Sequence, residues 1–197
     1  MEATYYKMTA PDMTSGGFKY ELGQTYTNHD YIMPCDDALK CLEYSEPTDR
    51  LFEVALGSYQ EPYENMISTD RVTFIREITD DEKYTLLTGR IRLVDGTIKT
   101  YWNGLLHSFN DQPAVHTGTG DQYWYREGYI HRDDGYAVRL EDGTMKFYQN
   151  GKLHRDSPCY AVISPTGLQE IWRHGVLIDR QYRPLLRRQV TEVIWPA

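Results

Sequence analysis

The second half of the chain alternates apolar and polar positions with a period of two, which predicts β-strands. When the segments are aligned on their glycines, one column collects large aromatic residues: Tyr101, Tyr125, Tyr148 and Trp172. The residues just before them form a second column: Thr100, Trp124, Phe147 and Ile171. Because successive side chains of a strand point to opposite faces, both faces carry bulky residues, and only one of them need be the core.

Glycines recur at a nearly constant distance and set the register of this pattern. Gly96, Gly120, Gly143 and Gly167 are spaced 24, 23 and 24 residues apart, and each is followed eight residues later by a second glycine. The dipeptides Asp95-Gly96 and Asn103-Gly104 are typical of hairpin loops with type I′ turns, which need positive φ. The pattern predicts an antiparallel β-meander of about four hairpin repeats that bury their apolar faces against one another.

The tripeptide His-Arg-Asp begins at His131 and again at His154. Protein kinases carry it in a catalytic loop, but this chain lacks their glycine-rich loop, their Asp-Phe-Gly and their lysine motif. A shared zinc ion is disfavoured as well. Two-strand repeats separate successive histidines by about 10 Å, whereas zinc binds each nitrogen at about 2.1 Å.

Two interpretations of the repeated histidines and arginines remain open. In the first, they bond to neighbouring turns, with Asp133, Asp134 and Asp156 as acceptors. In the second, they form a polar stripe beside the tyrosines and contact a protein partner, since Tyr and Arg are enriched at interface hot spots. The candidate partner-binding residues are Tyr101, Tyr125, Tyr148, His107, His131, Arg132, His154 and Arg155.

One phrase occurs at Tyr125–Val138 and again at Tyr148–Val162, and Tyr101–Val115 follows it more loosely. The phrase resembles the MORN-like hairpin repeats of bacterial, phage and large-virus proteins, with their Gly-x-Leu-His-Arg core and Ala-Val ending. The resemblance covers residues 91–179. It implies an elongated β-meander used for interactions, and it implies no particular ligand.

The first ninety residues predict a small α+β domain. Asp37 is placed to cap a short helix that begins at Ala38. Residues 50–57 and 71–78 alternate as strands, and residues 17–26 predict a short strand, a turn and another strand.

The same region resembles an uncharacterised domain of phage and bacterial proteins. Matching positions are Gly17, Phe18, Tyr20, Glu21, Gly23 and Tyr26. One segment of that domain is similar to a turn of ADP-ribosyltransferases, but here it is missing because Cys35 runs directly into Asp36. The resemblance implies an alternative function, an ADP-ribosyltransferase-like enzyme or a nucleotide-binding protein, with a pocket near Tyr20, Glu21 and Tyr44.

Charge and cysteine content narrow the function classes. The net charge is −8, and residues 1–80 hold 15 acidic and six basic side chains, which disfavours a nucleic-acid surface there. Three cysteines fit no disulfide framework and suit a reducing compartment. Neither a membrane span nor a signal peptide is indicated, so a cytoplasmic location is expected, in the host cytoplasm if the protein is viral.

The sequence therefore predicts an α+β, mostly β protein in three parts: a domain at 1–90, hairpin repeats at 91–179 and a tail at 180–197. The tail carries an arginine cluster and is expected to form a short helix after Pro184 that docks on the preceding sheet. The expected function is non-catalytic protein binding by a phage or viral protein, such as inhibition of a host factor. We expect no cofactor, metal, membrane or nucleic-acid partner.

Overall fold

The computed structural model describes residues 4–15, 17–27, 33–58, 60–64, 66–156 and 158–183. Within these residues the chain is mostly β, with antiparallel hairpins and two short helices. It divides into two compact units, residues 1–129 and residues 130–197. The predicted boundary after residue 90 stays a prediction.

The described part of the first eighty-six residues forms one four-stranded sheet, two hairpins and two helices. Their elements are β1 Tyr5–Thr9, β2 Thr14–Ser15, β3 Phe18–Lys19, β4 Thr25–Thr27, α1 Ala38–Cys41, β5 Arg50–Leu56, β6 Gln60–Tyr63, β7 Met66–Thr69, β8 Arg71–Glu77 and α2 Asp80–Leu86. Strands β1, β5, β8 and β4 lie in that order in one antiparallel sheet, and β2–β3 and β6–β7 pair as hairpins. Both strands predicted at 50–57 and 71–78 are confirmed as β5 and β8.

Aromatic side chains fill one core of this sheet. Phe52 and Phe74 are fully buried, and their ring centroids lie 5.4 Å apart. Tyr20 is also buried and stacks on Phe74 at 5.0 Å. Burying each such ring contributes about 1.5 to 3 kcal/mol to the free energy of folding, so these contacts stabilise the sheet.

The sequence analysis predicts the first helix, α1, but not the second, α2. Helix α1 begins as predicted, because the Asp37 carboxylate accepts a hydrogen bond from the Leu39 N–H at 2.9 Å. It ends at Cys41, after four residues. Helix α2 was not predicted, although Thr79 and Glu82 form a reciprocal capping box at its start. Neither helix is long and apolar enough to cross a membrane.

The remaining strands are short. They are β9 Gly89–Arg92, β10 Ile98–Trp102, β11 Leu105–Leu106, β12 Val115–His116, β13 Gln122–Tyr123, β14 Tyr125–Arg126, β15 Tyr129–Ile130, β16 Val138–Arg139, β17 Met145–Lys146, β18 Tyr148–Gln149, β19 Lys152–Leu153, β20 Val162–Ile163, β21 Leu168–Arg173 and β22 Val176–Tyr182. In the first unit β10 pairs with β9, β11 and β12, and β12 pairs with β13. In the second unit β16, β17, β20, β21 and β22 follow one another in one antiparallel sheet, and β18 pairs with β19.

Asn-Gly turns have the predicted conformation. Asn103 and Gly104 both have positive φ, at 48° and 75°, and Asn150 and Gly151 repeat these values. Positive φ at both central residues is the mark of a type I′ turn. The prediction is therefore confirmed at the second glycine of these two repeats.

Asp-Gly turns differ from the prediction. At residues 95–96 only Gly96 has positive φ. The Gly96 N–H donates to the Leu93 carbonyl, and the Leu93 N–H donates to the Thr97 carbonyl, so the loop has three residues. This is the pattern of a type I turn followed by a glycine bulge, and the predicted type I′ turn is wrong here. The Asp95 carboxylate accepts from the Thr97 N–H at 2.8 Å, which lowers the pKa of Asp95.

An Ala-Val pair ends each phrase and lies in the core. Its alanines are fully buried: Ala114, Ala137 and Ala161. The following valines are buried as well: Val115, Val138 and Val162. A buried position leaves little room for a larger side chain, which is in keeping with the recurrence of the Ala-Val pair.

Only the first part of the predicted tail lies within the described residues. Residues 180–182 continue β22 as a strand. The helix predicted after Pro184 falls outside the described residues.

Candidate functional site

The repeated histidines bond to turns of the second unit. The Asn150 N–H donates to Nδ1 of His131 at 3.0 Å, and the His174 N–H donates to Nδ1 of His154 at 3.2 Å. Both histidines are buried, with 7% and 5% of their residue surface exposed. Each histidine therefore holds the tight turn that begins about twenty residues further along the chain, as the first interpretation predicts.

The other ring nitrogen of each histidine faces an aspartate. His131 Nε2 lies 2.9 Å from an oxygen of Asp133, and His154 Nε2 lies 3.2 Å from an oxygen of Asp156. Because Nδ1 accepts a hydrogen bond, the proton of the neutral ring lies on Nε2, which donates to the carboxylate. Both nitrogens are thus engaged within the fold.

Each arginine of the repeated tripeptide closes the loop that follows it. Arg132 Nη1 donates to the Tyr136 carbonyl at 3.1 Å, and Arg155 Nη1 donates to the Tyr160 carbonyl at the same distance. The Arg155 guanidinium also stacks on the Phe147 ring, with Cζ 3.8 Å from the ring centroid. Stacking and hydrogen bonding hold the guanidinium groups in defined orientations before any ligand arrives.

A cavity of about 300 Å³ lies between these two loops of the second unit. Four predicted site residues line it: Arg132, Tyr148, His154 and Arg155. Three carboxylates and two further side chains complete much of the lining: Asp133, Asp134, Asp156, Phe147 and Cys159. His131 is buried and reaches the cavity lining through its bond to Asp133.

The cavity presents charges of both signs. Two guanidinium groups and three carboxylates belong to its lining, so it suits a ligand with both acidic and basic or amide groups. Burial raises the pKa of Tyr148, which therefore stays a neutral hydroxyl that can donate or accept a hydrogen bond. A ligand would therefore meet charged groups of both signs together with the aromatic rings of Phe147 and Tyr148.

The cavity does not contain the geometry of a cysteine–histidine dyad. Cys159 is exposed and shares the cavity with His154. The His154 ring, however, accepts from the His174 N–H and bonds to Asp156, so neither nitrogen is available to take the thiol proton. Among the described residues, no group of three or more histidines, cysteines, aspartates or glutamates could hold a metal ion.

Tyr101, another predicted site residue, is buried in the first unit. Its hydroxyl donates to Glu43 at 3.0 Å, and the Lys99 ammonium lies 2.7 Å from the same carboxylate. Burial, and then the neighbouring Glu43, raises the pKa of Tyr101 far above its usual value. This network ties the segment after α1 to strand β10. Local sequence patterns do not reveal it, because its members lie 56 and 58 residues apart.

The other two predicted residues also lie in the first unit. His107 is half-buried, with its ring near Trp102 and Phe109 at 5.2 Å and 4.8 Å between centroids. Its Nδ1 accepts from the Glu127 N–H at 3.3 Å, which repeats the histidine-to-turn bond of the second unit. Tyr125 is half-buried, and its backbone bonds to Ser108.

The residues of the alternative enzyme site have unlike environments. Tyr20 is enclosed in the aromatic core beside Phe74. Glu21 and Tyr44 are exposed. A tyrosine that is almost fully buried presents no surface to a nucleotide.

Comparisons with known proteins identify no family for this chain. No family model, no curated protein and no solved structure matches the chain. The resemblances to MORN-like repeats and to the phage domain therefore stay predictions that rest on the residues quoted for them.

Proposed function

We propose that this is a non-catalytic binding protein whose ligand is a segment of another protein. The observation that carries the proposal is the cavity lined by Arg132, Arg155 and Tyr148, in which the two arginines occupy equivalent positions of the recurring sequence phrase. Arginine and tyrosine, together with tryptophan, are the residue types enriched at interface hot spots. The pinned guanidinium groups lose little conformational entropy on binding, which favours affinity.

Cavity size limits what enters it. A volume of about 300 Å³ accommodates one or two side chains rather than a folded domain. We therefore expect a partner loop to insert a polar anchor, while the surrounding surface supplies the rest of the interface. Asp133, Asp134 and Asp156 disfavour a purely acidic ligand such as a nucleic-acid backbone.

The finer architecture and the origin belong to the same proposal. It comprises a small α+β domain at residues 1–90 that continues into an antiparallel meander of four hairpin repeats at 91–179. The recurring glycine turns and the histidine-to-turn bonds support such a meander. The MORN-like phrase supports an origin in a phage or another virus, with a host factor in the cytoplasm as the partner.

The experiment compares capture of bacterial proteins by the tagged wild-type chain and by a variant with Arg132→Lys and Arg155→Lys. Lysine keeps the charge but cannot reproduce the planar fork of the guanidinium. Arg139→Lys, at an exposed arginine of β16, is the matched control. We expect a partner that the wild type and the control retain and that the double variant loses, with circular dichroism unchanged.

Two results would overturn the proposal. The first is a partner that the double variant captures as well as the wild type does. The second is consumption of NAD by the wild-type chain that Glu21→Ala abolishes, which would favour the enzyme alternative.

A further inference from the structure

A second cavity of the second unit, of about 340 Å³, has a largely aliphatic lining. Four aliphatic side chains belong to it: Leu140, Leu153, Val162 and Leu168. Two charged residues, Lys146 and Glu170, line the same cavity. An aliphatic cavity that also holds a few polar groups is the usual form of a site for a small ligand.

Strand pairing places the two charged residues on one face of the sheet. Lys146 of β17 pairs with Val162 of β20, and Val162 pairs in turn with Glu170 of β21. Side chains of directly paired residues lie on the same face of a sheet. A buried valine, 5% exposed, therefore stands between the two charges at the base of the cavity.

The Glu170 carboxylate is held by two other side chains. Arg180 Nε donates to one of its oxygens at 2.6 Å, and the Trp172 indole N–H donates to the other at 2.7 Å. Because Glu170 is buried, with 6% of its surface exposed, these partners offset the loss of its hydration. Arg180 balances the negative charge of Glu170, so the lysine gives the cavity a positive character.

Lys146 is half-buried among apolar neighbours. Its cross-strand neighbours on either side are Val138 and Val162. Asp142 senses the lysine charge, but hydrogen bonds from Thr144 are the main cause that lowers the pKa of this carboxyl group. An ammonium group beside aliphatic side chains suits a ligand that joins an anionic group to an aliphatic one.

We propose that this cavity binds the C-terminal residue of a peptide whose last side chain is aliphatic. The Lys146 ammonium binds the terminal carboxylate, and the leucines of the lining enclose the side chain. Hydroxyl groups of Thr144 and Ser164 also line the cavity and can bond to the amide group of the last residue, which a fatty acid lacks. A volume of about 340 Å³ holds one or two residues, so a chain end fits better than a loop.

Methyl resonances in nuclear magnetic resonance spectra of the full chain test the proposal. The probe is N-acetyl-alanyl-leucine with a free carboxylate, compared with the same peptide as its C-terminal amide. We expect the acid to shift the methyl signals of Leu140, Leu153, Val162 and Leu168 and to bind at least about tenfold more tightly than the amide. A hydrogen bond between charged groups contributes at least this much.

Three variants assign that preference to one side chain. Lys146→Met removes the charge and keeps the length of the side chain, and it should bind acid and amide equally weakly. Lys146→Arg keeps the charge and should retain the preference, as should the control Lys152→Met, at an exposed lysine of β19. Circular dichroism checks that each variant is folded.

Four results would overturn the proposal. Two of them are equal binding of acid and amide by the wild type and the absence of shifts at up to about 10 mM acid, a concentration that detects even weak binding. The third is a preference for the acid that persists in a folded Lys146→Met variant. The fourth is hexanoate that binds as tightly as the peptide acid or more tightly, which would favour a free aliphatic acid as the ligand.

Discussion

Replacing His131 with alanine tests whether the repeated histidine holds the fold. The substitution removes the acceptor for the Asn150 N–H and the donor to Asp133, at distances of 3.0 Å and 2.9 Å. Each hydrogen bond contributes about 0.5 to 1.5 kcal/mol, and the bond to the exposed Asp133 belongs at the low end. Loss of the buried ring adds about 1 kcal/mol, so the free energy of unfolding should fall by about 2 to 3 kcal/mol.

Urea unfolding followed by circular dichroism measures this loss by linear extrapolation. His131→Asn should recover about half of it, because the asparagine oxygen can accept the Asn150 N–H in place of Nδ1. His116→Ala, at a half-buried histidine of β12, is the control and should cost about 1 kcal/mol or less. An alanine variant within about 0.5 kcal/mol of the wild type, or equal losses for alanine and asparagine, would refute the structural role.

Three further predictions concern the first unit. Glu43→Gln leaves its lysine partner without a counter-charge and should lower the free energy of unfolding by about 2 to 3 kcal/mol in the same urea assay. Because the pKa of Tyr101 is raised, the folded chain keeps this proton when the unfolded chain loses it, so stability should fall as the pH rises above about 10. Tyr101→Phe should make that fall shallower in unfolding curves at several pH values; an unchanged slope would contradict it. Gly104→Ala should lower the melting temperature more than Gly23→Ala. The two glycines have nearly the same φ, +75° at Gly104 and +76° at Gly23, but a Cβ at residue 104 would lie 2.9 Å from Pro47, whereas a Cβ at residue 23 would meet no atom within 4 Å.

Local signals in the sequence predicted local structure well. The Asp37 cap and the strands β5 and β8 depend on neighbouring residues, and the structure confirms them. The capping box of α2 is equally local, in Thr79 and Glu82, and could have been found from its spacing. It was missed because α2 buries none of its residues and so lacks a clear apolar face.

Turn type and site geometry depend on more than the local dipeptide. Asp95-Gly96 and Asn103-Gly104 look alike in sequence, but the loop at Asp95-Gly96 is one residue longer. Only Gly96 has positive φ in that loop, whereas Asn103 and Gly104 both have it in the shorter one. The cavity of the second unit brings residues 132–135 next to residues 147–149 and 154–156, an arrangement that no single segment encodes. Sequence columns predicted that Arg132 and Arg155 are equivalent, and only the structure shows that they flank one cavity.

The central claim, that the cavity between Arg132 and Arg155 binds a protein partner, is tested most directly by nuclear magnetic resonance. The captured partner would be titrated into the isotope-labelled chain, and the backbone amide shifts would be followed. We predict that the largest shift changes fall on the residues that line the cavity, which are 132–135, 147–149, 154–156 and 159. Largest changes at residues 17–27 and around Tyr44, with the cavity residues unmoved, would contradict the claim.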